Sequence, residues 1–285
     1  MLAWIVYGRK EAEYNKHYIN IYMEEGKKLG IEFKLVYVEE LDFGVVDNQW
    51  NVRYNGKKTM LPMFAVSRVI YPMLSRQLEY MGVKVFNNSK VAEICNDKAR
   101  TYQVVAKTGI TIVDSLFCKY EHLREKLSRC TEQTIVKTVN GHGGQQVFLL
   151  DPQNVNKVEE VVHNVDHQDV VIQPLVGSKH QDLRVYVIGR YIIAAVLREA
   201  KEGFKSNFSL GGKVSLYELS TKQREIVQEI MDQFQFGMVG IDFIVGDHDE
   251  LIFNEIEDVV GARMLYQCTD INLVKLYLEH ILDSL

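Results

Sequence analysis

An α/β (α+β) architecture of two or three packed subdomains is the fold this sequence predicts. Short β-branched and aromatic runs alternate with stretches of helical apolar spacing over roughly the first 90 residues, and the last third is dense in strand-like runs. At 285 residues the chain is also near the size where a single hydrophobic core stops growing.

The elements follow in order. Ala3–Tyr7 is a short apolar strand ending at Gly8. Glu11–Leu29 carries Tyr14, Tyr18, Ile21, Tyr22 and Leu29 at helical spacing and stops at Gly30, a C-terminal cap signal. Glu32–Val38 is β-branched and aromatic, hence a strand. Tyr54-Asn-Gly-Lys57 is an Asn-Gly hairpin turn inside Asn48–Met60. Val66–Tyr71 is a strand, Ser75–Met81 a short helix closed by Gly82, and Val83–Phe86 a strand. Together these form a small open sheet, but no G-x-G-x-x-G follows the first strand, so a dinucleotide site is not supported. Asn88 and Asn96-Asp97 are two helix-start signals in quick succession, the second opening a helix over Lys98–Lys107. Thr134–Pro174 reads as strand, Gly-rich loop, strand, helix over Val155–Val165, and strand over Val170–Gln173. The remainder gives strands over Leu183–Ile188 and Tyr191–Arg198, a helix over Thr221–Phe234, strands over Met238–Val245 and Glu250–Glu257, and a closing helix over Ile271–Leu285. Pattern shifts near 90 and 180 divide the chain.

Charge and cysteine content narrow the function. With 33 Lys+Arg against 38 Asp+Glu the net charge is −5, which argues against a broad nucleic-acid or anionic-membrane surface. The 4 Cys form no C-x-x-C pair and read as free thiols of a cytoplasmic protein. The apolar N-terminal run lacks a basic region before it and is far shorter than a spanning helix, so it reads as a buried strand and not as a signal or membrane segment.

Three local signals carry chemistry. If Met238–Val245 and Leu251–Glu257 pair as a hairpin, Asp242 lies opposite Glu255, and Glu255 and Glu257 share a face. Three converging carboxylates call for a cation, and hard oxygen ligands select Mg²⁺ or Mn²⁺; the plain alternative is a solvated polar strand end. The second signal is Lys137 before Asn140-Gly-His-Gly-Gly144, a loop that offers backbone N–H groups to phosphate or is simply a flexible hairpin loop. The third is Asp182 and Arg184 on one strand face, with Arg198 ending the next strand. That set suits an anionic ligand, or is an ordinary Asp–Arg surface pair. Gly211-Gly-Lys213 is not a P-loop, because Asn207 and Val214 break the pattern.

From Asn88 to about Leu276 these signals occur in an order that resembles the ATP-grasp superfamily, most closely its RimK-like carboxylate–amine ligase branch. The matching residues are Asn96-Asp-Lys-Ala-Arg-Thr101, Lys107-Thr-Gly-Ile110, Ile135-Val-Lys137 with its Gly-rich loop, Val171-Ile-Gln-Pro-Leu175, Asp182-Leu-Arg184, Ala194-Ala-Val-Leu-Arg198, Glu202-Gly-Phe-Lys-Ser-Asn207, Leu210-Gly-Gly-Lys213, Gly240-Ile-Asp242 and Phe253-Asn-Glu255-Ile-Glu257. The resemblance implies an ATP-grasp fold: an N-terminal α/β domain over 1–90, a central lobe over 91–178 and a C-terminal lobe with the metal site over 179–285, the two lobes clamping ATP. It implies Lys137 on the ATP phosphates with Lys98 and the loop glycines Gly143 and Gly144 assisting, and Gln173, Pro174 and Leu175 as the hinge against adenine. Asp182 would meet the ribose, and Lys205, Ser206 and Asn207 the triphosphate. Asp242, Glu255 and Glu257 would hold two Mg²⁺ or Mn²⁺ ions. Arg198 would stabilise charge in the reaction, and Arg263 would grip a substrate carboxylate. The implied reaction activates a carboxylate as an acyl phosphate that an amine attacks, on an amino acid, peptide or protein tail, in a homodimer or homotetramer. The alternative is an ATP-binding regulatory module without activity. This chain departs from the family pattern at Glu257, where Asn is usual, at Asp258-Val-Val-Gly261-Ala-Arg263, where a small-Ser-Pro-Gly run is usual, and at Pro174, where Glu is frequent.

Overall fold

A computed structural model describes residues 1–142, 146–151, 154–199 and 213–285. The first unit contains β1 (Leu2–Tyr7), α1 (Arg9–Tyr14), α2 (Lys16–Lys28), β2 (Glu32–Tyr37), β3 (Leu41–Val46), β4 (Gln49–Tyr54), β5 (Lys57–Lys58), β6 (Phe64–Ser67), α3 (Pro72–Tyr80) and β7 (Lys84–Phe86). Its sheet is parallel, in the order β2-β1-β6-β7. The single helix expected over Glu11–Leu29 is two helices, because Asn15 ends the first and begins the second. Its side-chain amide donates to the Glu11 carbonyl at 2.8 Å, which competes with helix continuation. The Asn-Gly turn joins β4 to β5 with both Asn55 and Gly56 at positive φ. The strand β3, which the sequence did not signal, pairs with β4.

The chain continues through α4 (Ser89–Cys95), α5 (Lys98–Val105), β8 (Leu116–Cys118), α6 (Tyr120–Leu127), β9 (Thr134–Thr138), β10 (Val147–Leu150), α7 (Val155–Asn164) and β11 (Val170–Pro174). Asn88 and Asp97 cap α4 and α5 as expected, accepting from the N–H groups of Val91 and Arg100, both at 2.9 Å. The central sheet is antiparallel, in the order β10-β9-β11-β8, with α6 and α7 packed on it.

The last unit holds β12 (Gln181–Ile188), β13 (Tyr191–Glu199), β14 (Lys213–Tyr217), α8 (Thr221–Met231), β15 (Met238–Val245), β16 (Leu251–Glu257), α9 (Arg263–Cys268) and α10 (Leu273–Ser284). Its antiparallel sheet runs β14-β13-β12-β15-β16. Alternation along these strands explains how it is covered on both faces. Leu183, Val185, Val187, Val239, Ile241 and Phe243 point to one core, shared with α8 and with Val91, Cys95, Tyr102 and Val105 of α4 and α5. These two helices, which the expected division assigns to the central lobe, therefore pack on the C-terminal sheet. Tyr186, Ile188, Val196 and Met238 point the other way and share a core with Ala3, Ile5, Tyr7, Phe64 and Val66 of the N-terminal sheet. Each fully buried aromatic ring of this kind contributes roughly 2–3 kcal/mol. Among the described residues no helix is long and apolar enough to cross a membrane. The four cysteines are free thiols.

Candidate functional site

The same alternation that builds the cores also places the charges. On the face that carries Tyr186 and Met238, the other ends of the strands bear Asp182 and Arg184 (β12), Arg198 (β13) and Asp242 (β15). Register sets Arg184 beside Asp242 and Asp182 beside Arg198. Arg184 donates through Nε to Asp242 Oδ1 and through Nη2 to Oδ2, both at 2.7 Å, and Arg198 Nη2 donates to the same Oδ2 at 2.8 Å. Arg198 Nε also pairs with Asp182, and Arg184 Nη1 with Glu257. Burial opposes ionisation of Asp242, which is 1% exposed, but Arg184 and Arg198 outweigh it and hold the carboxyl at about 2. Gly240 makes room for this arrangement: a Cβ there would lie 3.2 Å from Arg184 Cδ and 2.8 Å from Val260 Cγ2.

The hairpin forms as expected. Asp242 pairs with Glu255, and a bulge follows at Asn254, because Phe243 pairs with Phe253. The cation that the sequence reading required of the carboxylates is, for Asp242, a pair of guanidinium groups. Among the described residues no three His, Cys, Asp or Glu side chains come together as a ready metal cage. The donor set still fits a hard cation at two positions. Glu255 faces two cavities, and Glu257 Oε2 is buried without a hydrogen bond despite its ion pair with Arg184. Burial, opposed by Arg184, pushes the Glu257 carboxyl up.

Two cavities meet here. The first lies between the central and C-terminal sheets. Lys137 on β9 and Gln173 on β11 line it, together with Pro174, Leu175, Asp182, Asn254 and Glu255. Lys137 is buried and donates through Nζ to Asn254 Oδ1 at 2.8 Å. Burial lowers its amine from 10.5 to about 8, with Glu255 opposing and Lys98 adding to the shift. Lys98, at the start of α5, donates to the Gly141 carbonyl and stands 3.7 Å from Glu255 Oε2. Gln173 is buried, with its side-chain amide on Ser115 Oγ at 2.8 Å. Pro174 has no N–H, and that of Leu175 is committed to the Gln133 carbonyl at 3.1 Å, so neither offers a free backbone donor. The second cavity lies between the N-terminal and C-terminal units. Tyr7, Arg68, Arg184, Arg198, Glu257 and Arg263 line it, and it shares Lys98 and Glu255 with the first.

The structure thus brings together Lys98, Lys137, Asp182, Arg198, Asp242, Glu255 and Glu257. Arg263 stands at the rim of the second cavity. Its guanidinium stacks 4.1 Å from the Tyr14 ring centroid and bonds the Tyr14 hydroxyl and Asn15 Oδ1. Gly143, Gly144, Lys205, Ser206 and Asn207 lie outside the described residues. Two residues of this site escaped the sequence reasoning in whole or in part. Arg184 was read only as part of a set suited to an anionic ligand, and its pairing with Asp242 was not foreseen. Asn254, the acceptor for Lys137, was visible only as the residue between Phe253 and Glu255; Tyr102 anchors its backbone, donating to the Asn254 carbonyl at 2.7 Å.

A family model described as the RimK-like ATP-grasp domain matches residues 95–281. The chain belongs to that family. A probable alpha-L-glutamate ligase of Legionella pneumophila is 27% identical over 273 residues, covering 90% of this chain and 88% of the relative. An uncharacterised protein of Mycoplasma genitalium is 28% identical over 289 residues, covering 99% and 93%. Among solved structures, the ATP-grasp ligase PsnB with a phosphomimetic variant of its minimal precursor, Mg and ADP shares the fold. Its TM-score is 0.71 at 15% identity, over 99% of this chain and 98% of that one. The ATP-grasp fold and the enzyme class expected of this RimK-like chain, a ligase forming carbon–nitrogen bonds, agree with these findings.

Proposed function

We propose that this protein is an ADP-forming carboxylate–amine ligase that works through an acyl phosphate. The observation that carries this reading is the junction of the two cavities at Lys98 and Glu255. A nucleotide in the first cavity would direct its terminal phosphate to that junction, and a carboxylate in the second would meet it there.

The chain's own residues account for the chemistry. Lys137 and Lys98 hold cationic amines at the cavity wall, and a triphosphate would restore to Lys137 the charge that burial disfavours. Gln173, Pro174 and Leu175 would border the base, and Asp182 the ribose. Glu255 and Glu257, with Asp242 behind them, would hold Mg²⁺ or Mn²⁺, up to two ions; the bound metal would neutralise phosphate charge. Arg184 and Arg198 are fixed by Asp182, Asp242 and Glu257 before any ligand arrives. They supply positive charge to the second cavity without reorganising during the reaction. Phosphoryl transfer depends on such positioning and charge neutralisation, not on a protein nucleophile. The carboxylate oxygen attacks the γ-phosphorus and ADP leaves; the amine then attacks the acyl carbon and phosphate leaves. The relative named as a glutamate ligase and the precursor-bound PsnB structure support an amino acid, peptide or protein tail as substrate.

The test is Glu255→Gln. Turnover of Mg-ATP to ADP with added carboxylates and amines should fall by about 100-fold or more, while nucleotide affinity, read by calorimetry, changes far less. Turnover equal to the parent's would contradict the assignment. A parent that binds ATP but releases no phosphate with any acid and amine would instead be a nucleotide-binding regulatory module.

A further inference from the structure

The wall of the second cavity holds a buried guanidinium that the reading above does not use. Arg68, directly after β6, is 7% exposed. Its Nη2 donates to the carbonyls of Val259 at 3.3 Å and Val260 at 2.9 Å, but its Nε is buried with no partner. Arg184 and Arg198 are both paired with carboxylates; among the described residues Arg68 forms no ion pair. The hydroxyls of Tyr7 and Tyr18, on the same wall, are also buried without partners, as is that of Tyr266. The Arg68 guanidinium carbon lies 5.4 Å from the Tyr18 ring centroid. Asp258, a buried acid that lines the same cavity, accepts from the Asn96 amide at 2.9 Å and makes no ion pair with Arg68.

Buried polar groups are nearly always hydrogen-bonded, and buried charges are nearly always paired. Here a cation with an unpaired N–H and several unpaired tyrosine hydroxyls converge on one cavity wall, and all of them can donate to an anion bound there. One positive charge beside the acids Glu257 and Asp258 suits a singly charged, planar carboxylate better than a doubly charged phosphate.

We propose that Arg68, with the hydroxyls of Tyr7 and Tyr18, binds a non-reacting carboxylate of the substrate. The protein would then select substrates that carry a carboxylate besides the group being joined. A molecule held there extends along the cavity toward Arg184, Arg198 and the Lys98–Glu255 junction. Which molecule this is rests on the ligase reading; the anion site itself does not.

The experiment is calorimetric titration of the full-length protein with glutarate, L-glutamate and neutral glutaramide, each with Mg-AMPPNP present. Glutarate and L-glutamate should bind, and glutaramide should bind about tenfold or more weakly. Arg68→Gln should weaken both acids by about tenfold or more and erase their advantage over the amide. Tyr7→Phe keeps the ring and should weaken them severalfold, which carries the test if the Arg68 variant does not fold. Nucleotide affinity should stay at the parent's value in both variants. Acids that do not bind the parent, acids that bind no better than glutaramide, or affinities unchanged in both variants would overturn the proposal. A parent that fails to bind AMPPNP but binds glutarate through Arg68 would sink the ligase reading and leave this site standing.

Discussion

Lys137, which we propose meets the ATP phosphates, is a buried side chain whose charge such a ligand would change. Its amine is lowered from 10.5 to about 8 because it is desolvated, and Asn254 offers only a neutral acceptor. The unfolded chain keeps this proton to higher pH than the folded chain does. The penalty on folding is therefore full below pH 8 and fades as the pH rises toward 10.5. A triphosphate bound as proposed would reverse the preference by stabilising the charged amine. Binding of Mg-AMPPNP at pH 8 should then take up about half a proton, seen as different apparent enthalpies in buffers of different ionisation heat. Lys137→Met should remove that difference; equal enthalpies in the parent would show that the amine does not meet the phosphates. At this scale the sequence was informative where chemistry is local. Lys137 beside a Gly-rich loop and the Asp242–Glu255 hairpin could both be read from neighbouring residues. The neutralisation of Asp242 by Arg184 could not, because it depends on β12 lying beside β15, across the length of α8 and two further strands.

At the scale of elements, Asn87 makes four of the hydrogen bonds that join the N-terminal unit to the C-terminal one. Asn87, just after β7, donates through its amide to the carbonyls of Met238 at 2.9 Å and Asp258 at 2.8 Å. Its Oδ1 accepts from the N–H groups of Gly237 at 2.7 Å and Met238 at 3.1 Å. Asn87→Ala would leave these buried backbone groups without partners and should lower stability by about 2–4 kcal/mol, measured by urea unfolding. A loss of a few tenths of a kcal/mol would show that the Asn87 bonds do not hold the two sheets together. Most strands and helices were legible because each follows from its own periodicity and caps. Asn88, Asp97 and the Asn55-Gly56 turn are examples. The helix break at Asn15 was missed because the apolar spacing runs straight through it. The short strand β8 and the helix α6 give too little pattern to stand out from a loop.

At the scale of the molecule, three sheets enclose two cavities that touch at one carboxylate–lysine pair. The N-terminal sheet presents Tyr7 and Arg68 from its strand ends, the central sheet presents Lys137 and Gln173, and the C-terminal sheet presents the arginines and acids. The order of motifs pointed to the clamp, but the meeting of the cavities at Lys98 and Glu255 is a property of the assembled sheets. The proposed ligase reading makes a definite chemical demand: a carboxylate bound in the second cavity would have to accept the γ-phosphoryl group and become susceptible to an amine. Hydroxylamine can stand in for that amine, so the direct measurement is hydroxamate formation from Mg-ATP, hydroxylamine and a panel of amino and dicarboxylic acids, with the nucleotide product identified. The proposed reading predicts one hydroxamate per ADP with at least one acid. ATP that binds but gives neither hydroxamate nor ADP with any acid, or hydroxamate that forms with AMP and pyrophosphate, would contradict it.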